Sequence, residues 1–194
     1  MVTSYELEQA TPFFFKSHRA RVEPQRDYPM KVVIRATTSA PTFFQPLRLK
    51  GPDGVARTLV DGGVFANNPA MCAYAELRKR WPDAEIAALV SIGTGSPSRR
   101  LHFSDVHTWG LAQWVRPLLS MTSDGVNMSV DHQLRHLLPR ECYFRFQSEV
   151  EPIHSHMDDP SPATFASLRN SAARLIEERS ADLDVVCELL QAAQ

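Results

Sequence analysis

Leu59-Val60-Asp61-Gly62-Gly63-Val64-Phe65-Ala66-Asn67-Asn68-Pro69 is the stretch on which the reading of this chain turns. An apolar strand over Arg57–Val60 delivers an aspartate to its end. Two glycines follow, so the backbone can turn sharply or approach another group closely. Asn68 is a suitable N-cap, and Pro69 stands at the first helical position, where its missing N–H costs nothing. Ala70, Tyr74, Leu77 and Trp81 then share one helical face until Pro82 stops the helix. Taken alone, Asp-Gly is also a common turn dipeptide, and both readings of Asp61 stay open at this level.

Working outward, Lys31–Ala36 (KVVIRA) is a β-branched run that predicts a strand. Glu85–Ile92 (EIAALVSI) is a continuous apolar run of the kind found in strands covered on both faces, and Gly93-Thr94-Gly95 follows it. Cys142–Phe146 alternates and predicts a fourth strand of the same sheet. Residues 18–31 read as a loop. Leu111, Trp114, Val115, Leu118 and Leu119 form one helical stripe, and Val126, Val130, Leu134, Leu137 and Leu138 a second. The last third is helical: Phe165, Leu168, Ala172, Leu175 and Ile176 share a stripe, then Leu183, Val186, Cys187 and Leu190. Asp158, Asp159 and Ser161 are cap candidates before it. This order of elements indicates an α/β layered domain.

Composition excludes several functions. The net charge is -1, which argues against a nucleic-acid partner. Cys72, Cys142 and Cys187 are odd in number and far apart, fitting neither a disulfide framework nor a zinc ribbon, so reduced buried thiols are expected. The first ten residues carry Glu6 and Glu8 and no long apolar run, unlike a signal peptide. No apolar stretch is long enough to span a bilayer. These features together predict a cytoplasmic protein.

Four blocks carry a family resemblance. DGGVFANNP at 61–69 resembles the second signature block of the patatin-like phospholipases. Ala36-Thr37-Thr38-Ser39-Ala40-Pro41-Thr42-Phe43-Phe44 resembles the block that precedes it. Ser91-Ile92-Gly93-Thr94-Gly95 and Tyr143-Phe144-Arg145-Phe146 resemble the later strands. The resemblance covers residues 1–147. It implies a three-layer α/β/α fold with a mainly parallel central sheet. Residues 1–150 would be the C-terminal part of the catalytic domain, and 151–194 a helical segment packed on it.

The resemblance also implies that Asp61, with Gly62 and Gly63 as its motif, is the base of a Ser–Asp dyad that cleaves acyl esters of phospholipids or related lipids. A serine hydroxyl is a poor nucleophile until a base takes its proton. That family carries its serine in Gly-x-Ser-x-Gly, N-terminal to the region matched here, and no serine of this chain has glycine at both i−2 and i+2. The expectation is therefore a chain that lacks the N-terminal half of the fold. It supplies the aspartate and leaves a sheet edge unpaired. Its partners would be the acyl lipid, that missing half, and membranes in peripheral contact. No cofactor and no metal are implied.

Two other functions compete. One is a pseudoenzyme or regulatory fragment that binds lipid or a protein partner. The other is a hydrolase pairing Asp61 with His102 or His107. The remaining signals have plainer readings. Ser39 is expected to be a hydrogen-bonding loop residue rather than a nucleophile. His154, His156, Asp158 and Asp159 match no zinc spacing and are expected to form a loop and cap. Phe103, Trp109, Trp114, Leu118 and Met121 are expected in a core rather than against lipid. Arg99 and Arg100 read as surface residues.

Overall fold

A computed structural model describes residues 1–97, 101–151, 156 and 158–192. Eight strands and eight α-helices occur among them. The strands are β1 (Val2–Glu6), β2 (Thr11–Phe15), β3 (Leu47–Lys50), β4 (Ala56–Asp61), β5 (Leu89–Ile92), β6 (Ser96–Pro97), β7 (Tyr143–Phe146) and β8 (Glu149–Val150). The helices are α1 (Ser17–Ala20), α2 (Met30–Thr37), α3 (Gly63–Ala66), α4 (Ala70–Arg80), α5 (Phe103–Val106), α6 (Leu111–Leu137), α7 (Pro162–Glu178) and α8 (Ser180–Ala192).

The mixed α/β class matches the expectation, but the strands do not form one mainly parallel sheet. The largest sheet has the order β2-β1-β4-β3, and every pairing in it is antiparallel. Connection length explains this. Residues 7–10 join β1 to β2 and residues 51–55 join β3 to β4, and links so short allow only antiparallel neighbours. Parallel pairing appears between β5 and β7 and between β6 and β8. The chain between β5 and β7 contains α5 and α6 and is long enough for a crossover.

Lys31–Ala36 is not a strand; it lies within α2. Its burial has helical spacing: Val33 and Ala36 face the core while Lys31, Ile34 and Arg35 are exposed. Ala36 is fully buried in a cluster with Leu59 of β4, Val33 and Phe15. That single-face contact outweighs the strand preference of the β-branched residues. Of the other expected strands, Arg57–Val60 lies within β4. The run at 85–92 is a strand only over its last four residues, and that at 142–146 begins at Tyr143.

The hairpin of β1 and β2 went unread in the sequence. Its three consecutive phenylalanines divide across the sheet by the strand period of two. Phe13 and Phe15 pack edge-on against Tyr28, whereas Phe14 meets Phe65 on the other face, at 5.8 Å between centroids. Glu6 is buried because its carboxylate accepts from the backbone N–H groups of Glu8, Gln9 and Thr58.

The two helical stripes lie on one 27-residue helix, α6, with Pro117 inside it and Leu138 just past its end. Its C-terminal half is anchored: Leu134, Leu138, Ala70 and Tyr143 form a second core on one side of β5–β7. Phe144, Phe146 and Val186 of α8 form a third core on the other. Around β5–β7 the chain is thus helix, sheet, helix. Ser161 caps α7 through the Thr164 N–H, with Pro162 at the first position, as the sequence indicated. The residues buried on α7 are Thr164 and Ser171, and Phe165 and Ile176 of the expected stripe are exposed. Cys187 is likewise exposed and Cys72 and Cys142 are half-buried, so none is the fully buried thiol expected.

Candidate active site

Asp61 ends β4 opposite Ser4 of β1, and four contacts fix the strand end. Its backbone N–H donates to the Ser39 carbonyl at 3.0 Å. The Ser4 hydroxyl donates to the Val60 carbonyl at 2.5 Å. The Thr37 hydroxyl donates to the Thr3 carbonyl at 2.7 Å. Gly62 presses against that same strand, where an added Cβ would lie 2.5 Å from the Thr3 carbonyl oxygen. Gly62 is therefore glycine because of close backbone approach, with an ordinary φ of -69°.

Gly63 has a different reason. Its N–H donates to Asp61 Oδ1 at 2.6 Å, and an added Cβ would lie 3.0 Å from that oxygen. The aspartate is half-buried. Oδ2 carries no hydrogen bond among the described residues, so this carboxylate closes a turn with one oxygen and keeps the other. The turn reading and the base reading of Asp61 are compatible in this geometry.

Asn68 departs from its expected position by one residue. Helix α4 begins at Ala70 and Pro69 precedes it, so Asn68 is not the formal N-cap. Its Oδ1 still satisfies a helix-terminal donor, the Ala70 N–H at 3.2 Å, and also accepts from the Ser91 hydroxyl at 3.0 Å. Sequence reading missed Ser91 and Arg145 as members of this network. The Arg145 guanidinium donates to Ser91 Oγ at 2.9 Å. Their place in two strand motifs was the only available signal.

Ser39 is fully buried and bonds Arg35 through both its side chain and the Arg35 carbonyl, in keeping with its hydrogen-bonding assignment. His102 and His107 flank the short exposed helix α5, and His107 Nδ1 pairs with the Phe103 carbonyl rather than with Asp61. Asp159 accepts from Ser161 at the start of α7. His154, Arg99 and Arg100 lie outside the described residues. Among the described residues no three His, Cys, Asp or Glu side chains gather as a metal site.

The expected core around Phe103, Leu118 and Met121 is not a core. These residues are 81%, 56% and 49% exposed, and Trp109 and Trp114 contact each other edge-on while half-buried. Leu111, Val115 and Leu118 in the first half of α6 are likewise exposed, which helical periodicity alone does not reveal.

An open groove of ≈ 590 Å³ runs between the start of β1 and β5, floored by Ala70, Ala73 and Leu77 of α4. Asp61 is not on its wall. At one end Glu76 pairs with Lys16 at 2.5 Å and approaches His18. Desolvation, aided by the charge of Arg80, holds His18 below the usual imidazole range. Strand β5 pairs with β7 alone among the described residues, and its groove side leaves Ile92 76% exposed.

The Patatin-like phospholipase family matches residues 2–74, which contain the whole Asp61 segment. Patatin-like protein 6 of Arabidopsis thaliana is 27% identical over 94% of this chain and 40% of its own length. Patatin-like protein 1 of the same plant is 24% identical over 95% of this chain and 51% of its own length. The calcium-independent phospholipase A2-gamma of Oryctolagus cuniculus is 29% identical over 84% of this chain and 20% of its own length. The chain thus spans about half or less of the curated relatives it matches. The match over residues 2–74 has the aspartate segment near its C-terminal end, and relatives named as patatin-like proteins align along most of the chain, so the chain is similar to the patatin-like phospholipases.

Proposed function

We propose that this chain is part of a lipid acyl hydrolase, with Asp61 as the general base of a Ser–Asp dyad whose serine comes from a segment outside these 194 residues. The observation that supports this most directly is the half-used carboxylate: Gly63 occupies Oδ1 and Oδ2 is left over, on a strand end held by backbone contacts. In the reaction, Asp61 Oδ2 takes the serine proton as the serine oxygen bonds to the acyl carbonyl carbon. Collapse of the tetrahedral intermediate expels the alcohol, whose oxygen takes that proton from Asp61. Asp61 then takes a proton from water as it attacks the acyl-enzyme, and returns it to the serine on release of the fatty acid.

The groove and the free edge of β5 provide a place for the additional segment, and the buried Asn68 Nδ2, without a partner among the described residues, is a donor for it. The substrate on this reading is a phospholipid or another acyl lipid, reached by peripheral contact with membranes from the cytoplasm. Residues 1–150 serve as the C-terminal part of the catalytic domain. Residues 151–194 serve as a helical segment, of which α8 packs on that part through Val186 against Phe144 and Phe146. The absence of Gly-x-Ser-x-Gly from the chain equally favours a second reading, a non-catalytic fragment that binds lipid or a protein partner.

One experiment separates them. The chain is assayed for fatty-acid release alone and with a segment bearing Gly-x-Ser-x-Gly joined ahead of Met1. The dyad reading expects no turnover alone, turnover in the fusion, and a fall of about 10²-fold or more on Asp61→Asn. A folded, active fusion indifferent to Asp61→Asn removes the base assignment. Turnover by the purified chain alone, abolished by Asp61→Asn, removes the external serine.

A further inference from the structure

The segment from Asp61 to Asn68 is an elbow with two ends, and they are held by different means. The upstream end is held by backbone contacts to Thr3, Ser4 and Ser39. The downstream end rests on Asn68, which is 3% exposed and bonded to Ala70 and Ser91 through one atom, Oδ1.

An amide side chain can turn over, exchanging its oxygen for its nitrogen, so something must decide which way Asn68 points. The hydrogen-bond chain decides it. Arg145 can only donate, so Ser91 Oγ must accept from Nη1 at 2.9 Å. The one serine proton is then best directed onward to Asn68, at 3.0 Å, and Asn68 must answer with oxygen. That same oxygen takes the Ala70 N–H and closes the start of α4. Arg145 is itself anchored, by its Nη2 to Gln147 at 3.0 Å and by Arg179 donating to its carbonyl at 3.2 Å.

We propose that Arg145 is a positioning residue for Asp61: acting through Ser91 it sets the orientation of the Asn68 amide, which fixes the downstream end of the elbow and keeps the Gly63 N–H on Asp61 Oδ1. This rests on the reading of Asp61 as the base, but its test needs no turnover, so the two fail separately. Without the guanidinium, the Ser91 hydroxyl is free to reverse. Asn68 can then turn its nitrogen to Ser91, and the Ala70 N–H loses its acceptor. The elbow loosens from the Asn68 end while the upstream end stays paired.

The test is amide hydrogen exchange by NMR on the 194-residue chain, comparing wild type with Arg145→Met, Ser91→Ala and Ser91→Thr. Arg145→Met and Ser91→Ala are expected to speed exchange about 10-fold at Gly63 and Ala70, as local openings do, with Leu59 and Val60 of β4 unchanged. The Gly63 amide proton should also lose the downfield shift that a short bond to a carboxylate gives. Ser91→Thr retains the hydroxyl and should restore both. If Arg145→Met does not fold, the Ser91 pair carries the decision. Exchange unchanged at Gly63 and Ala70 in Ser91→Ala overturns the proposal. So does an increase shared equally by Leu59 and Val60, or a failure of Ser91→Thr to restore Gly63.

Discussion

Strands β4 and β5 each end at a glycine motif, yet they are held very differently. β4 lies between β1 and β3, and its terminal residue Asp61 is held by its own N–H on the Ser39 carbonyl and by the Gly63 N–H on Oδ1. β5 has β7 on one side and an open groove on the other. The family match ends at residue 74, within α4, so it takes in the enclosed strand and leaves out the open one. The difference separates two structural tasks. The β4 side holds one carboxylate still and should tolerate little change. The β5 side has room to adjust, and side-chain bonds rather than packing on both edges tie it to the elbow.

The sharpest way to break this comparison is Gly62→Ala. Its methyl would enter to 2.5 Å from the Thr3 carbonyl oxygen, a backbone atom that moves only if β1 and β4 separate. A loss of about 3 kcal/mol is expected, the upper part of the overpacking range. Gly125→Ala is the control, because an added Cβ there meets nothing within 4 Å and the residue lies inside α6. It should stabilise by about 1 kcal/mol through helix propensity. Urea unfolding of both variants checks this. Equal effects would mean that the β1–β4 contact is softer than its geometry indicates.

A finer comparison uses two leucines, each fully buried. Leu59 lies in the core under the antiparallel sheet, and Leu134 in the core beside β5. Leucine-to-alanine costs span about 2–5 kcal/mol, larger where the site cannot collapse. Leu59→Ala is expected near the top of that range, about 4 kcal/mol, and Leu134→Ala about 1 kcal/mol lower because the groove lets α4 and β5 move inward. A larger loss at Leu134 would show that the open side is the more rigid one.

How far the sequence disclosed all this depends on how local each cause is. The Asp61 turn was legible because an aspartate between an apolar strand and two glycines restricts the backbone by itself. The reason for Gly62 was hidden, since Thr3 is far away in sequence and Glu6 and Glu8 disguised β1 as polar terminus. KVVIRA misled because a short apolar run suits either strand or helix until its partner is known, and here one face found Leu59. The stripe through Leu111, Val115 and Leu118 had correct helical spacing, but spacing identifies a face without saying that anything covers it. Ser91 and Arg145 were legible as parts of strand motifs, whereas the bond between them required the parallel register of β5 and β7, which pairs them directly.

The smallest expected effects lie at opposite ends of the pH scale and test the same division. At the start of β7, burial and then the Asp131 carboxylate push the Tyr143 hydroxyl up to about 12. Its folded value is raised, so its contribution is complete below about pH 10 and is lost as pH rises towards 12. Tyr143→Phe should flatten the alkaline fall in stability over that interval. In the link between β3 and β4 of the antiparallel sheet, the hydrogen bonds from Arg57 hold Asp53 down to about 2. This value is depressed, so its contribution is complete above about pH 4 and is lost as pH falls towards 2. Because the pair is near the surface, its whole contribution should stay below about 1 kcal/mol. Asp53→Asn should remove that acid slope without touching the alkaline one, and about 1 M salt, with a screening length near 3 Å, should weaken it in wild type. Unfolding free energies of the two variants against wild type, at pH values from 2 to 4 and from 10 to 12, measure both slopes in one series. If Asp53→Asn also changes the alkaline limb, or Tyr143→Phe the acid limb, the two sheets respond as one unit and the division drawn between them is lost.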